Sequence, residues 1–266
     1  MAFRKTFARH HVVALSGGKD STALSLLLRE KYPGILFEFV YTPTGDELPS
    51  MKEHFSRLEC LLSMKLVDAS DGLTLHSLIR DQLMLPNMRA RFCTRILKIW
   101  RFQKYLVDHS PATIYIGLRA DEEERLGGIY DIPEVEVRYP LREFGIDHAG
   151  VCGILRDHSV AIPRRTDCAR CFFQSLTEWW WLWKEYPGIY EDAVQDEAVV
   201  SEARKRECTF RMNDGRGKWP HRLVELGQAF DRGAMPYNRH GVPAVNLRLD
   251  EKQATERETS CPWCSR

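Results

Sequence analysis

Short apolar runs alternate with polar, turn-rich breaks along the first two-thirds of the chain. His11-Val12-Val13-Ala14-Leu15 is rich in β-branched residues and stops at Ser16-Gly17-Gly18. Ala23-Leu24-Ser25-Leu26-Leu27-Leu28 follows with helical character and ends before Tyr32-Pro33-Gly34, a stop signal. Ile35 to Tyr41 is apolar almost throughout, the pattern of a strand buried on both faces. Met64 to Ala69 and Thr113 to Arg119 predict further strands, and Val135 to Leu141 alternates as a strand should. Ile146 to Leu155 predicts a short helix, with Cys152 at an apolar spacing and therefore expected in the core. Strands interleaved with helical stretches imply parallel βαβ units. The fold expected is α/β, a parallel sheet over residues 1–172, followed by a helical, cysteine-containing region over 173–266.

That second region differs in character. Trp179, Trp180, Trp181 and Trp183 crowd onto one predicted helix, which ends at Tyr186-Pro187-Gly188. They cannot all face one side. Some are expected in the core and some toward a partner, a ligand or the other domain. Base stacking is one use of such residues, and core packing is the commoner one. A helix from about Ala193 to Lys205 and another through Leu223, Leu226 and Phe230 complete the region.

Composition narrows the class. The chain has 266 residues, 44% of them hydrophobic, enough for one large α/β domain with an appendage. A formal net charge of +1 excludes polyanion binding by bulk charge, so any nucleic-acid role needs a local patch. No apolar run is long enough to span a bilayer. The basic start, Met1 to Lys5, is followed by too short an apolar stretch for a signal peptide. A cytoplasmic protein with no membrane partner is expected. In a reducing compartment, paired members of its eight cysteines point to metal or redox chemistry rather than disulfides.

The chemistry concentrates at the first break. A strand, a glycine turn and a helix start together suit an anion, because glycine allows close backbone approach and the helix end presents unpaired N–H groups. Lys19 adds a full charge, and Ser16, Ser21 and Thr22 add hydroxyl donors. The common nucleotide loop G-x-x-x-x-G-K-[ST] does not fit, because Asp20 follows Gly17-Gly18-Lys19. A plainer reading makes this a glycine turn with Asp20 as helix cap. The string Ser16-Gly17-Gly18-Lys19-Asp20-Ser21 instead resembles the PP-loop of the ATP pyrophosphatase (adenine nucleotide α-hydrolase) superfamily. That resemblance implies a Rossmann-like domain that binds ATP and cleaves it between the α and β phosphates, or holds a related adenylyl anion.

Three further elements, in the right order, are similar to the phosphoadenosine phosphosulfate (PAPS) reductase family. Thr44-Gly45-Asp46-Glu47-Leu48-Pro49 resembles its second element, although Asp46 and Glu47 equally fit a helix cap. Arg91-Phe92-Cys93-Thr94-Arg95-Ile96-Leu97-Lys98 carries R-x-C-T-x-x-L-K, with Arg91, Arg95 and Lys98 at a spacing that puts them on one helix face, or else on a plain solvated one. Gly117 to Arg125 carries G-x-R-x-x-E-x-x-R, which implies Arg119 and Arg125 as anion-binding residues; Glu122 to Glu124 read mainly as an exposed helix start. Proline, basic residues and then C-x-x-C at Cys168 and Cys171 close the resemblance. In the iron–sulfur branch two adjacent cysteines bind the cluster where this chain has Cys93-Thr94, which departs from that pattern.

Cys168, Cys171, Cys261 and Cys264 form two C-x-x-C pairs, a set that suits Zn²⁺ or a [4Fe-4S] cluster. Alternatives are Cys93 with Cys168, Cys171 and one more, a redox pair at Cys261 and Cys264 on the tail, or incidental free thiols. By resemblance the nucleotide site comprises Ser16, Gly17, Gly18, Lys19, Asp20, Ser21, Thr44, Gly45, Lys98, Arg119 and Arg125. Lys19, Asp20 and Asp46 are the expected catalytic group, with Mg²⁺ near Asp20 or Asp46. The reaction implied is ATP cleavage to AMP and pyrophosphate with adenylation of an acceptor, in sulfur transfer or nucleic-acid modification. Arg91, Arg95, Lys98, Arg164 and Arg165 would guide a nucleic-acid substrate, and a sulfur-donor protein is the other partner considered. Two alternatives stand beside this. One is a thiol-dependent sulfonucleotide reductase acting on PAPS or its unphosphorylated analogue APS, although the family's E-C-G-[IL]-H tail is absent. The other is a non-catalytic nucleotide-binding accessory that docks through its tryptophan helix.

Overall fold

The computed structural model describes residues 9–125, 127, 131–162, 165–211 and 217–247. Its centre is a parallel sheet of five strands: β1 (His10–Ala14), β2 (Phe37–Tyr41), β3 (Val67–Asp68), β4 (Ala112–Tyr115) and β5 (Val135–Arg138), in the order 3-2-1-4-5. Val12 pairs with Glu38 on one side and Ile114 on the other. The strands are shorter than the apolar runs. Ile35 and Leu36 precede β2, with Leu36 left 76% exposed, and β3 keeps only two residues. β5 stops before Pro140, which has no N–H for a ladder and instead opens the short helix α5 (Pro140–Glu143).

Side chains alternate across a strand, so Val12 and Val13 enter opposite faces, and both are fully buried. Val13, Phe37, Phe39 and Tyr115 meet α1 (Lys19–Lys31), α2 (Pro49–Leu62) and α6 (His148–Asp157) through Leu24, Leu28, Leu58, Leu62, Val151 and Leu155. Val12, Val40 and Ile114 meet α4 (Trp100–Asp108) through Phe102 and Leu106. α1 is buried around most of its circumference, which explains its near-continuous apolar run. Cys152 on α6 is only half-buried, its Sγ 3.9 Å from the His148 ring, so the expectation of a core cysteine fails.

A third core joins α3 (Leu75–Gln82) and residues 85–97 to α7 (Leu176–Glu185), α8 (Pro187–Arg204) and α9 (Leu223–Asp231). α7 starts at a capping box, with Ser175 accepting from Glu178 N–H and the Glu178 side chain accepting from Ser175 N–H. Trp179, Trp180 and Trp181 are buried and Trp183 packs on the same cluster. The expectation that some of these indoles face a partner is corrected here. α7 is the hub of the helical region, covered by α8 and α9, so successive residues are buried on different sides. No helix among the described residues is long and apolar enough to cross a membrane.

Trp179 is fully buried between the rings of Tyr190 and Phe210. Trp179→Ala is expected to destabilise the protein by about 3–5 kcal/mol, measured by urea unfolding.

Candidate functional site

β1 lies between β2 and β4, so the connections leave it in opposite directions. Beyond the carboxyl ends of strands at such a reversal, open parallel sheets form a crevice that binds ligands. The Ser16–Gly18 turn is there. Gly17 has φ +78°, and a Cβ on it would lie 2.6 Å from Met51 Cε and 2.8 Å from Phe55 Cζ of α2. Glycine is required there twice over, by backbone and by packing. Gly18 is different: a Cβ would meet only Ser16 Oγ, at 3.5 Å. The protein itself gives no reason for glycine at 18, whereas close approach of a ligand to the helix end does. Gly117, beyond β4, presses on the same helix start; its Cβ would come within 3.0 Å of the Asp20 and Ser21 backbone.

Gly18 is the N-cap of α1, with no side-chain cap, and Asp20 sits inside the first turn. The reading of Asp20 as the cap is therefore corrected. The hydroxyls mostly hold the turn itself. Ser21 Oγ donates to Gly18 O at 3.1 Å and accepts from Ser16 N–H at 3.2 Å, while exposed Ser16 accepts from Gly18 N–H at 3.3 Å. Thr22 is fully buried, its Oγ1 3.2 Å from Nε2 of buried His54. Burial, with Arg57 adding to it, lowers the His54 pKa to about 4, so this ring is neutral at pH 7.

Lys19 Nζ donates to Asp20 at 3.2 Å, and Arg119 Nη1 reaches both Asp20 oxygens at 3.2 and 3.3 Å. Arg119 is buried and also donates to Asp121 at 2.9 Å. Burial opposes its charge, but Asp121, Asp20 and Glu122 outweigh that and raise its pKa. Glu122 is largely buried, accepting from Arg125 and from the Arg119 N–H, and no helix starts there, which overturns its reading as an exposed helix start. Arg119 thus holds the loop's carboxylate in place rather than reaching outward as an anion ligand.

The β2 loop faces a second centre. Thr44 is buried; its N–H and Oγ1 donate to Glu47 at 2.6 and 2.7 Å, and Oγ1 lies 3.3 Å from Cys168 Sγ. Gly45 at φ +72° packs against Thr74, where a Cβ would come within 2.6 Å. Asp46 is buried and accepts from Arg170 N–H at 2.9 Å and Nε at 2.6 Å. Arg170 continues to Asp196 at 2.6 Å, and Asp196 to Arg80 at 2.9 Å. Burial pushes the Asp46 carboxyl up, with Arg170 pulling against it. Asp46 is therefore committed to Arg170, and Asp20 to Lys19 and Arg119, so neither carboxylate fits the Mg²⁺ site expected of it.

Thr44, Cys93, Lys98, Cys168, Cys171 and Phe173 are among the residues lining one small cleft. The Cys168–Cys171 turn closes with Cys171 N–H donating to Cys168 O at 3.2 Å, and buried Arg165 donates to that carbonyl at 2.6 Å. Burial pushes the Cys168 thiol up, against the pull of Lys98. The basic face expected of Arg91, Arg95 and Lys98 splits. Residues Thr94–Ile99 form a π-helix, whose wider turn breaks the 3.6-residue spacing. Lys98 lines the cleft, Arg91 lies over the Phe173 ring at 5.8 Å, and exposed Arg95 lies over Trp100 at 5.3 Å.

Residues 10–129 match the family model of the phosphoadenosine phosphosulfate reductase domain. Over those residues the chain is similar to that domain. No curated protein matches the chain. Among solved structures, it is similar to a phosphoadenylyl-sulfate (PAPS) reductase from Candida auris in a phosphate complex, with 12% identity over 59% of this chain and 76% of that one, TM-score 0.47. It is also similar to the U34-tRNA thiolase NcsA from Methanococcus maripaludis with its [4Fe-4S] cluster, with 18% identity over 85% of each chain, TM-score 0.43. Both scores lie below 0.5, so neither bears on what this chain does.

The PAPS reductase domain match includes the Ser16–Ser21 loop, Thr44 to Pro49, Arg91 to Lys98 and Arg119 to Arg125, and ends before Cys168. Cys261, Cys264 and Arg164 lie outside the described residues. Among the described residues, no group of three or more His, Cys, Asp or Glu side chains is arranged to hold a metal; the set of Cys168, Cys171, Cys261 and Cys264 extends outside the described residues. Sequence reasoning missed Arg170, Asp196 and His54 as supports of the two centres. Arg170 carried a signal, its place inside C-x-x-C, whereas Asp196 and His54 lie on helices with nothing nearby to mark them.

Two expectations follow from this geometry. Gly17→Ala should destabilise the fold by more than about 1 kcal/mol, while Gly18→Ala should stay within about 1 kcal/mol of wild type, both read by thermal unfolding. His54 has a folded pKa of about 4 against an ordinary 6.5, so the unfolded chain takes up the proton first and stability falls as pH drops through that window. Urea unfolding at pH 7 and pH 5 should show wild type losing roughly 1–2 kcal/mol more than His54→Gln.

Proposed function

We propose that this chain is an adenine-nucleotide enzyme that cleaves ATP between the α and β phosphates and adenylates an acceptor. One observation carries the reading: a glycine-built turn at the sheet's reversal point opens onto an uncapped helix start that also presents Lys19. Helix N–H groups and Lys19 would receive the pyrophosphate oxygens. Acceptor oxygen attacks the α-phosphorus, the bond to the bridging oxygen breaks, and pyrophosphate leaves with the electron pair. Fixed positive charge at that oxygen stabilises the developing anion, the largest single catalytic device available here. Arg119 acts through Asp20, keeping the turn in shape. The adenylated acceptor is then open to displacement by sulfur or nitrogen, releasing AMP.

A second reading has its own support. Cys93, Cys168 and Cys171 share a cleft with Lys98 beside the Thr44 loop. A thiolate there attacking the sulfur of a bound sulfonucleotide would break the sulfur–oxygen bond to the phosphate, release the nucleotide phosphate held at the same turn and leave a cysteine S-sulfonate, from which the thioredoxin dithiol would release sulfite as it is oxidised to a disulfide; the chain would then be a thiol-dependent reductase.

Incubation with ATP and Mg²⁺, followed by separation of AMP and pyrophosphate from ADP, tests the first reading. AMP is the expected product, and Lys19→Ala should slow its formation by about 100-fold or more. Thioredoxin-dependent sulfite release from PAPS or APS, without AMP formation from ATP, would replace the first reading by the second. If neither product forms, both fall.

A further inference from the structure

The buried tryptophans of α7 leave the aromatic question open elsewhere. Trp100, at the start of α4, is 52% exposed, beside Ile99 at 43%. Arg95 lies over its ring at 5.3 Å. Four residues earlier, Arg91 lies over Phe173 at 5.8 Å, and Phe173 lines the cysteine cleft. Arg95 lies within the π-helical stretch Thr94–Ile99 and Arg91 just before it, so one cation–aromatic pair is on the open surface and the other at the cleft wall. π-helical turns are frequent at functional sites. Lys98 on the same segment lines the cleft, and Arg89 is exposed at the tip of the turn before it. Arg89 and Arg95 have no carboxylate partner among the described residues. Farther along α4 the charge is balanced, because Arg101 and Lys104 pair with Asp71 and Lys104 with Asp108. The excess positive charge thus sits with the exposed indole at the cleft end.

We propose that this track docks a single-stranded nucleic acid, with unpaired bases stacking on Trp100 and backbone phosphates meeting Arg95 and Arg89, so that a neighbouring base reaches the cysteine cleft. Stacking on an exposed aromatic ring within a cationic groove is how single strands are held without base pairing, and an Arg over the ring adds to it. A duplex hides the base faces that Trp100 would take. The proposal names the acceptor class for the ATP-dependent reaction and rests on that reading for its purpose, but not for the binding itself.

The test is fluorescence anisotropy with the full chain and a fluorescein-labelled uridine homopolymer of about 12 nucleotides, at low and moderate salt, beside the same strand annealed to its complement. ATP cleavage to AMP is measured on the same preparations. The expected result is salt-sensitive binding of the single strand over the duplex, weakened about tenfold by Trp100→Ala and largely kept by Trp100→Phe. Arg95→Gln should weaken binding and lower the salt slope by about one. Equal binding by wild type and Trp100→Ala, equal binding of duplex, or no binding at all would overturn the proposal. So would displacement of the strand by polyglutamate with no effect of Trp100→Ala, the behaviour of an acidic-protein site. Loss of binding in the variants with no AMP from any preparation would keep this surface and remove the ATP reading. AMP formation with unaltered binding would do the reverse.

Discussion

The ion-paired chain Asp46–Arg170–Asp196–Arg80 is the interaction on which the β2 loop and the cysteine turn depend. Asp46, Arg170 and Asp196 are buried, and charges taken out of water are tolerated only when each has close, well-oriented partners. Arg170 supplies them by reaching Asp46 through Nε and Asp196 through Nη1, both at 2.6 Å, while its own N–H also serves Asp46. Asp196 in turn takes Arg80 of α3. The chain joins the β2 loop, the cysteine turn and two helices of the third core. Removing Arg170 would leave the buried Asp46 carboxylate without its cation rather than merely loosen a contact. The cysteine turn is thus held in place from both sides, by Arg170 on one and by Arg165 on the Cys168 carbonyl on the other.

The Ser16–Ser21 loop uses charge in another way. Asp20 lies between Lys19 and Arg119, and Arg119 is itself surrounded by Asp121 and Glu122. Arg119 therefore has its charge absorbed within the fold, whereas Lys19 is the partly exposed cation beside the helix start. An anion placed there would compete with Asp20 for Lys19 while meeting the helix N–H groups directly. Gly17 makes this possible by taking a left-handed turn under Met51 and Phe55. A side chain at 17 would act on the loop through α2, without touching any ligand.

Much of the fold could be read from residue pattern because β1, β2 and β4 are buried on both faces, and apolar runs with β-branched residues say so directly. The same runs overstated strand length, since an apolar residue such as Leu36 does not need a ladder to be apolar. The loop was legible for a local reason: its residues are consecutive, and glycine at 17 is dictated by backbone conformation. The roles of Arg119, Glu122 and Asp46 were not, because each is decided by a partner far off in sequence or by a turn where a helix was expected. The periodicity of Arg91, Arg95 and Lys98 misled for a related reason. A π-helical segment changes the number of residues per turn, and no residue type in it announces that change. The tryptophans of α7 were ambiguous because counting aromatics cannot tell a helix covered on several sides from one with an open face.

The family match ends at residue 129, yet the matched segment is not physically complete by itself. Within it, α3 turns Leu75, Leu78 and Ile79 into the third core, where Trp179, Tyr190 and Ala193 also pack. Also within it, Asp46 is a buried carboxylate whose cation comes from residue 170. Ala169 N–H donates to Asp46 O at 2.6 Å, and Glu47 and Cys168 form an isolated antiparallel bridge, so the β2 loop pairs with the cysteine turn through the backbone as well. The loop carrying Thr44 and Gly45 and the turn carrying Cys168 and Cys171 are in this sense one piece of structure. A shift of either by a fraction of an ångström must break a buried ion pair or a backbone bond, and close-packed interiors do not absorb such shifts gradually. Whatever the thiols do, they do it at a place fixed by the β2 loop of the family-matched segment.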